Sequence, residues 1–291
     1  VTVAYLDRLA ARSAVTGTVL CLGLDPEPTA LPAGFRPDVG GIEAFCRLLL
    51  EACLGFASAV KPNLAFFEAL GPDGLAALER LRAAVPSEVP FIADAKRGDI
   101  GSTAARQAVA LFDRLGADAV TASPYLGGAA IEPLIERPDR FVYVLCRTSN
   151  PGAAEFQDLE VAGTGPAAPP EPLYIRVARR AAGWGPGETV GLVVGATAPD
   201  EMARIRTVAP GLGFLVPGVG AQGGAIEPVL RDGPATAPPA GPRIGAGLLV
   251  NVSRGISAVV STEAGEHPPG DPGEALAEAA RGWAERLPVL L

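Results

Sequence analysis

The chain has 291 residues, 48% of them hydrophobic and 19% charged, with a formal net charge of −8. That length and apolar content suffice for a large core in one α/β domain and carry no sign of disorder, while the acidic balance argues against nucleic acid as a partner without forbidding an anionic small molecule held by a local cation cluster. The apolar runs are short and end in charges or glycines, below the roughly 20 residues of a membrane span, and no charged head precedes a long apolar run as in a secretory signal, so the expected compartment is cytoplasmic.

An initial segment, Val3–Arg12, is expected to pack outside the repeat that follows. From there, short apolar runs alternate with amphipathic stretches of helical length. Strand Thr18–Leu24 precedes helix Ile42–Leu54, strand Ala57–Lys61 precedes helix Asp73–Val85, and strand Pro90–Lys96 precedes helix Thr103–Leu115, with Ser102 and Thr103 as N-cap candidates. Strands Ala117–Ala122 and Phe141–Arg147 follow, then helix Pro172–Trp184, strand Thr189–Ala196, helix Ala198–Val208, strands Gly213–Pro217 and Gly247–Val252, and helix Gly273–Arg286. The strand runs are mostly continuous rather than alternating, as expected of strands buried on both faces. Two segments rich in Pro, Gly and Ala, Ala153–Pro170 and Asp232–Arg243, read as loop insertions rather than domain linkers, because the alternation resumes after each.

Eight strands alternating with helices give a closed barrel or a doubly wound sheet. No GxGxxG follows the first strand, which weakens the dinucleotide-binding alternative. The expected fold is a single (β/α)8 barrel, a TIM barrel, with chemistry at the C-terminal ends of its strands. The four cysteines, Cys21, Cys46, Cys53 and Cys146, form no CxxC pair and read as free buried thiols. The single histidine, His267, lies in a Pro/Gly-rich stretch, so neither a His- or thiolate-held metal nor a Ser-His-Asp triad is expected.

Polar residues gather where strands should end. Asp25 closes the first, Lys61 the second, and Asp94 and Lys96 the third, with Asp99 in the loop beyond. Asp94 and Lys96 are two apart, so a regular strand puts both on one face. A charged pair beneath the helices would be costly, which favours the lumen mouth. A structural ion pair capping the barrel is the other reading of that spacing. After strands seven and eight come Pro217-Gly-Val-Gly-Ala-Gln-Gly-Gly224 and Asn251-Val-Ser-Arg-Gly-Ile256. Loops at those two positions commonly grip phosphate: glycines let backbone N–H groups approach an anion, and Arg254 can clamp its oxygens. Glycine-rich turns that merely close short loops are the alternative.

These residues together resemble the orotidine 5′-phosphate decarboxylase family. Asp94-Ala-Lys96-Arg-Gly-Asp99-Ile100 is similar to the family's DxKxxDI signature, Lys61 to its partner lysine, and the Pro217–Gly224 loop with Ser253-Arg254 to its phosphate-binding elements. The likeness runs from about Thr18 to the last helix, and Lys61-Pro-Asn63 with the overall length resembles a longer bacterial subgroup. The resemblance implies a homodimer with shared sites and no cofactor or metal. It implies Lys96 as proton donor to C6 of the pyrimidine, with Lys61, Asp94 and Asp99 completing a Lys-Asp-Lys-Asp network in which Asp99 reaches the neighbouring subunit's site. Asp25 and Thr103 would contact ribose, Thr103 and Ile100 coming from the partner. Ser149 would contact the pyrimidine, and Pro217, Gln222, Ser253 and Arg254 would line the phosphate end. Asn63 and Glu68, near Lys61, have structural or supporting roles as the alternative to a direct one. Two other functions share parts of this pattern: a metal-dependent phosphosugar lyase on the same barrel, and a non-catalytic nucleotide-binding barrel.

Overall fold

The computed structural model describes residues 3–290 except 164, 166, 167, 186, 221 and 262–269, so His267 lies outside the described residues. All eight expected strands form: β1 Leu20–Leu24, β2 Ala59–Pro62, β3 Ile92–Arg97, β4 Ala119–Ala122, β5 Phe141–Arg147, β6 Val190–Val194, β7 Gly213–Val216 and β8 Leu249–Val252. They make one parallel sheet in the order β2-β1-β8-β7-β6-β5-β4-β3. Parallel bridges Val60 to Phe91 and Asn63 to Asp94 join the two edge strands, closing a (β/α)8 barrel.

The strands alternate strictly between two apolar clusters. Leu22 and Leu24 of β1, Val60 of β2 and Val142 and Val144 of β5 face outward into the layer shared with the helices. Cys21, Ala59, Phe141, Tyr143, Val193, Leu215 and Leu249 face inward and fill the lumen. Both faces are therefore buried, which is why the runs are continuous in sequence. The helices are α1 Tyr5–Thr16, α2 Val39–Cys53, α3 Leu64–Glu68, α4 Gly71–Ala84, α5 Gly101–Ala108, α6 Glu132–Ile135, α7 Leu173–Ala181, α8 Pro199–Val208, α9 Ile226–Asp232, α10 Arg254–Ser257 and α11 Pro272–Arg286. The six expected helices correspond to α2, α4, α5, α7, α8 and α11. The short α3, α6, α9 and α10 span too few residues to show a helical period. All four cysteines are free and buried, and no helix among the described residues is long and apolar enough to cross a membrane.

Two expectations change in detail. Neither Ser102 nor Thr103 caps α5. The helix begins at Gly101 with Ile100 as N-cap and no side-chain cap bond, because Gly101 takes φ +49° and turns the chain two residues early. The initial segment is a full helix, and it does more than lie beside the repeat. Its Tyr5, Leu6 and Leu9 are buried with the lumen side chains and plug the N-terminal end of the barrel. There Tyr5 and Tyr143 share a hydroxyl hydrogen bond of 3.1 Å, and Arg8 meets the buried Asp118 at 2.6 Å.

The two insertions lie at opposite ends. Segment 232–243 runs from α9 to β8, so it belongs to the floor. Ala235 and Ala240 join the lumen cluster beside α1, and Arg243 binds Asp7 and Glu188. Segment 153–170 follows β5 on the mouth side. It includes Glu160–Val161, which pairs antiparallel with Glu171–Pro172.

Candidate active site

Continuing the inward alternation toward the C-terminal ends places Asp25, Lys61, Asp94, Thr121, Leu145, Val193, Pro217, Asn251 and Ser253 around the mouth. Two adjoining cavities, about 160 and about 460 Å³, share Lys61, Asp94, Pro217 and Gln222 as walls. The smaller adds Asp25, Asn251, Ser253 and Arg254; the larger adds Lys96, Thr121, Leu145, Ser149 and Gln157.

Asp94 is the hub. Lys61 Nζ donates to its Oδ2 at 2.9 Å and Lys96 Nζ to its Oδ1 at 2.6 Å. Lys61 is enclosed, with 5% of its side chain exposed, whereas Lys96 is half exposed into the cavity. Burial alone would raise the Asp94 carboxyl; the Lys61 and Lys96 charges and their hydrogen bonds reverse that and hold it far below the usual carboxylate range. Burial likewise opposes the Lys61 ammonium, but Asp94 and Asp25 hold it protonated well above the ordinary lysine range. Both groups are thus charged at neutral pH. Beneath them, burial pushes the Cys21 thiol up to about 12, so it is an inert wall of the lumen.

Asp94 and Lys96 share the lumen mouth as their spacing predicts, but not through a regular strand. The β3–β4 register shifts between Ala93 and Arg97, and Lys96 sits at φ +48°. For a residue with a Cβ that conformation costs about 1–2 kcal/mol. It lets the Lys96 side chain meet the carboxylate of Asp94 on its own strand, opposite Lys61 from β2.

Beside the loops after β7 and β8, Ser253 Oγ donates to Asp25 Oδ2, while Asp25 Oδ1 and Asn251 Oδ1 are buried acceptors with no partner among the described residues. Gly23 makes this packing possible, since a Cβ there would stand 1.8 Å from Ser253 Oγ. In the loop after β7, Gly218, Gly220 and Gly223 all take positive φ, and a Cβ on Gly218 would meet Gln222 Oε1 at 2.7 Å. Glycine is needed to curl this loop beside Gln222. Arg254 opens α10 and is exposed to the cavity. Ser149 lies in the larger cavity at the end of β5.

Three of the expected residues lie elsewhere. Asp99 accepts the Ile100 N–H at 2.7 Å, Ile100 is 70% exposed, and Thr103 is exposed on α5. None of them lines the chain's own cavity. Asn63 Oδ1 caps α3 through the Ala65 N–H and the residue also lines a neighbouring cavity with Asp25 and Arg254, and Glu68 pairs with Arg97.

Sequence reasoning missed Thr121, Asn251 and Gln157. Thr121 sits in an apolar strand run, where a β-branched residue looks like ordinary core. Asn251 is two residues before Ser253 on β8, so the same inward alternation could have found it. Gln157 comes from the insertion after β5. Its Oε1 accepts the Thr148 N–H at 2.8 Å and its Nε2 donates to Thr148 Oγ1 at 2.8 Å, bracing the turn that carries Ser149.

The model of the orotidine 5′-phosphate decarboxylase / HUMPS family matches residues 18–263. A protein of Thermomicrobium roseum named orotidine 5′-phosphate decarboxylase is 46% identical over 255 residues, covering 87% of this chain and 86% of that protein. One of Roseiflexus castenholzii with the same name is 48% identical over 238 residues, covering 81% and 82%. Among solved structures, Leishmania donovani OMP decarboxylase superposes with a TM-score of 0.78 at 38% identity, covering 97% of this chain and 96% of that one. With its barrel closed and the signature residues at its mouth, the chain belongs to the orotidine 5′-phosphate decarboxylase / HUMPS family.

Proposed function

We propose that the chain is a carboxy-lyase that converts orotidine 5′-phosphate to uridine 5′-phosphate and carbon dioxide in pyrimidine biosynthesis, without a cofactor. The observation that carries this reading is the Lys61–Asp94–Lys96 chain at the lumen mouth, open on one side to a cavity that ends at Arg254 and the glycine loop.

Cleaving the C6–carboxylate bond leaves its electron pair on C6, in the ring plane and orthogonal to the π system. A nearby fixed cation is then the main means of stabilising it. Lys96 supplies that charge. A unit charge about 4 Å away is worth roughly 4 kcal/mol at an effective dielectric of 20. Lys96 then gives one N–H proton to C6 and recovers it from solvent. Asp94 orients the Lys96 ammonium and stands against the substrate carboxylate, a like-charge contact that departing carbon dioxide relieves. Lys61 keeps Asp94 ionised.

The phosphate lies at the other end, on Arg254, Gln222, Ser253 and the backbone following Pro217. Asp25 takes a ribose hydroxyl and Ser149 reads the pyrimidine. Binding energy gained at the phosphate serves to order the mouth and is expressed in the rate.

The site is completed by a second copy of the chain. Asp99, Ile100 and Thr103 line neither of the two mouth cavities, and exposed Ile100, Tyr125 and Leu126 lie on neighbouring loops after β3 and β4. A symmetric partner covering that rim brings its Asp99, Ile100 and Thr103 to this site and completes the Lys-Asp-Lys-Asp network.

The test follows the ultraviolet absorbance of orotidine 5′-phosphate with purified protein, with and without EDTA. Full turnover in EDTA is expected. Loss on chelation supports the metal-dependent phosphosugar lyase instead, and no turnover with retained nucleotide binding supports a non-catalytic barrel.

A further inference from the structure

We infer that Thr121 is a positioning residue for the decarboxylation, setting the geometry of Asp94 and Lys96 through one hydroxyl. The inference rests on the function proposed above. Thr121 lies on β4, is 2% exposed and faces the lumen beside the bulge in β3. Its Oγ1 donates to Asp94 Oδ1 at 2.9 Å and accepts the Lys96 backbone N–H at 2.9 Å.

A threonine hydroxyl has one proton and two lone pairs, so both bonds are satisfied together and each fixes the direction of the other. The Asp94 oxygen that takes the Thr121 proton is the one that also takes the Lys96 ammonium. Thr121 thus ties the main chain of the proton donor to the carboxylate that aims its amine, across the point where the β3–β4 ladder loses register. No other regular pairing holds β3 to β4 between Ala93 and Arg97. Lys96 also sits there at positive φ, a conformation that persists only when its surroundings impose it. Without the hydroxyl, Lys96 can relax and carry its ammonium away from Asp94. The phosphate end, formed by other strands, is untouched.

The experiment compares wild type, Thr121→Val, which keeps the branched shape, and Thr121→Ser, which keeps the hydroxyl. It reads kcat and KM on orotidine 5′-phosphate, affinity for uridine 5′-phosphate by calorimetry, and thermal midpoint. Thr121→Val is expected to lower kcat roughly 100-fold, the scale of an ångström-sized misplacement of a reacting group. KM and product affinity should stay within about threefold of wild type. Thr121→Ser should recover most of kcat. A Thr121→Val protein with wild-type kcat overturns the inference, as does a kcat loss that Ser fails to restore and that comes with equal losses of product affinity and thermal midpoint. An inactive wild type overturns the decarboxylase reading itself, which separates the two failures.

Discussion

Replacing Lys61 by Met keeps an unbranched side chain of similar length and removes one charge from the Asp94 hub. The pair is 2.9 Å apart, and at an effective dielectric of 20 its attraction is about 6 kcal/mol before desolvation is counted. Removing one partner of a buried pair typically costs 3–5 kcal/mol, because the remaining charge loses its compensation. Asp94 would keep Lys96 and Thr121, so the loss should fall near the lower end, about 3 kcal/mol at neutral pH. The pH dependence is more diagnostic. Wild-type Asp94 is depressed below its unfolded value, so its contribution is complete above the unfolded carboxyl pKa of roughly 4 and fades as pH falls through the folded one. Lys61 is raised above its unfolded value, so its contribution is complete below about 10 and fades only as pH rises further. In Lys61→Met the Asp94 carboxyl rises, since burial is then opposed only by the Lys96 charge and the hydrogen bonds from Lys96 and Thr121. The stability difference should therefore be full and flat between about pH 5 and 9 and shrink only as pH falls below about 4, through the variant's Asp94 carboxyl. Urea unfolding of both proteins across that range measures it. A difference under about 1 kcal/mol at pH 7, or one that grows rather than shrinks as pH falls below about 4, would refute the assignment of Lys61 as the counter-charge that keeps Asp94 ionised.

The remaining expectations are kinetic. Lys96→Ala should abolish turnover while uridine 5′-phosphate still binds within about threefold; retained activity removes Lys96 as the proton donor. Arg254→Ala removes the cation proposed to make charge-assisted hydrogen bonds to phosphate and should reduce kcat/KM by roughly 100-fold or more. The same proportional loss on a substrate without phosphate would mean that Arg254 acts on the fold. Gln157→Ala frees the Thr148 turn and should raise KM several-fold with a smaller change in kcat, because that turn carries Ser149, the residue proposed to read the pyrimidine. Unchanged KM in steady-state assays would leave Gln157 as packing only.

The barrel was legible because each strand is buried on both faces. A run such as Val142–Leu145 has no polar positions to interrupt it, and eight such runs at helix-length intervals leave few folds. The functional mouth was legible for a related reason: a charge such as Lys61 at the end of an apolar run needs a polar surrounding, and the lumen rim is the one the fold provides. What could not be read depended on contacts between distant segments. Thr121 differs from a core threonine only through Asp94 and Lys96. The start of α5 follows from Gly101 adopting positive φ, which made the good capping side chains of Ser102 and Thr103 irrelevant. The floor position of segment 232–243 follows from which side of β8 it enters, a matter of topology that composition does not carry.

The two ends of the lumen use the same residue types for opposite purposes, and the difference lies in donors left over. At the floor, Asp118 has a side chain 3% exposed, takes Arg8 at 2.6 Å and Arg140 at 3.2 Å, lies 3.6 Å from Arg82, and accepts the Phe91 N–H. Those guanidiniums are also engaged with backbone carbonyls, Arg8 with Asp139 and Arg82 with Gly116 and Val85. That cluster is buried and spends its guanidinium donors on Asp118 and nearby carbonyls, with only Arg8 Nε buried and unpaired among the described residues, which suits a plug. At the mouth, Lys96 directs one of its three donors at Asp94 and is half exposed, and Arg254 opens onto the cavity. Three cations there, Lys61, Lys96 and Arg254, face the two carboxylates Asp25 and Asp94, so the cavity retains positive charge within a chain of net charge −8. An anion carrying a carboxylate at one end and a phosphate at the other satisfies both sets of unused donors at once, and the acidic surface elsewhere gives it few competing sites.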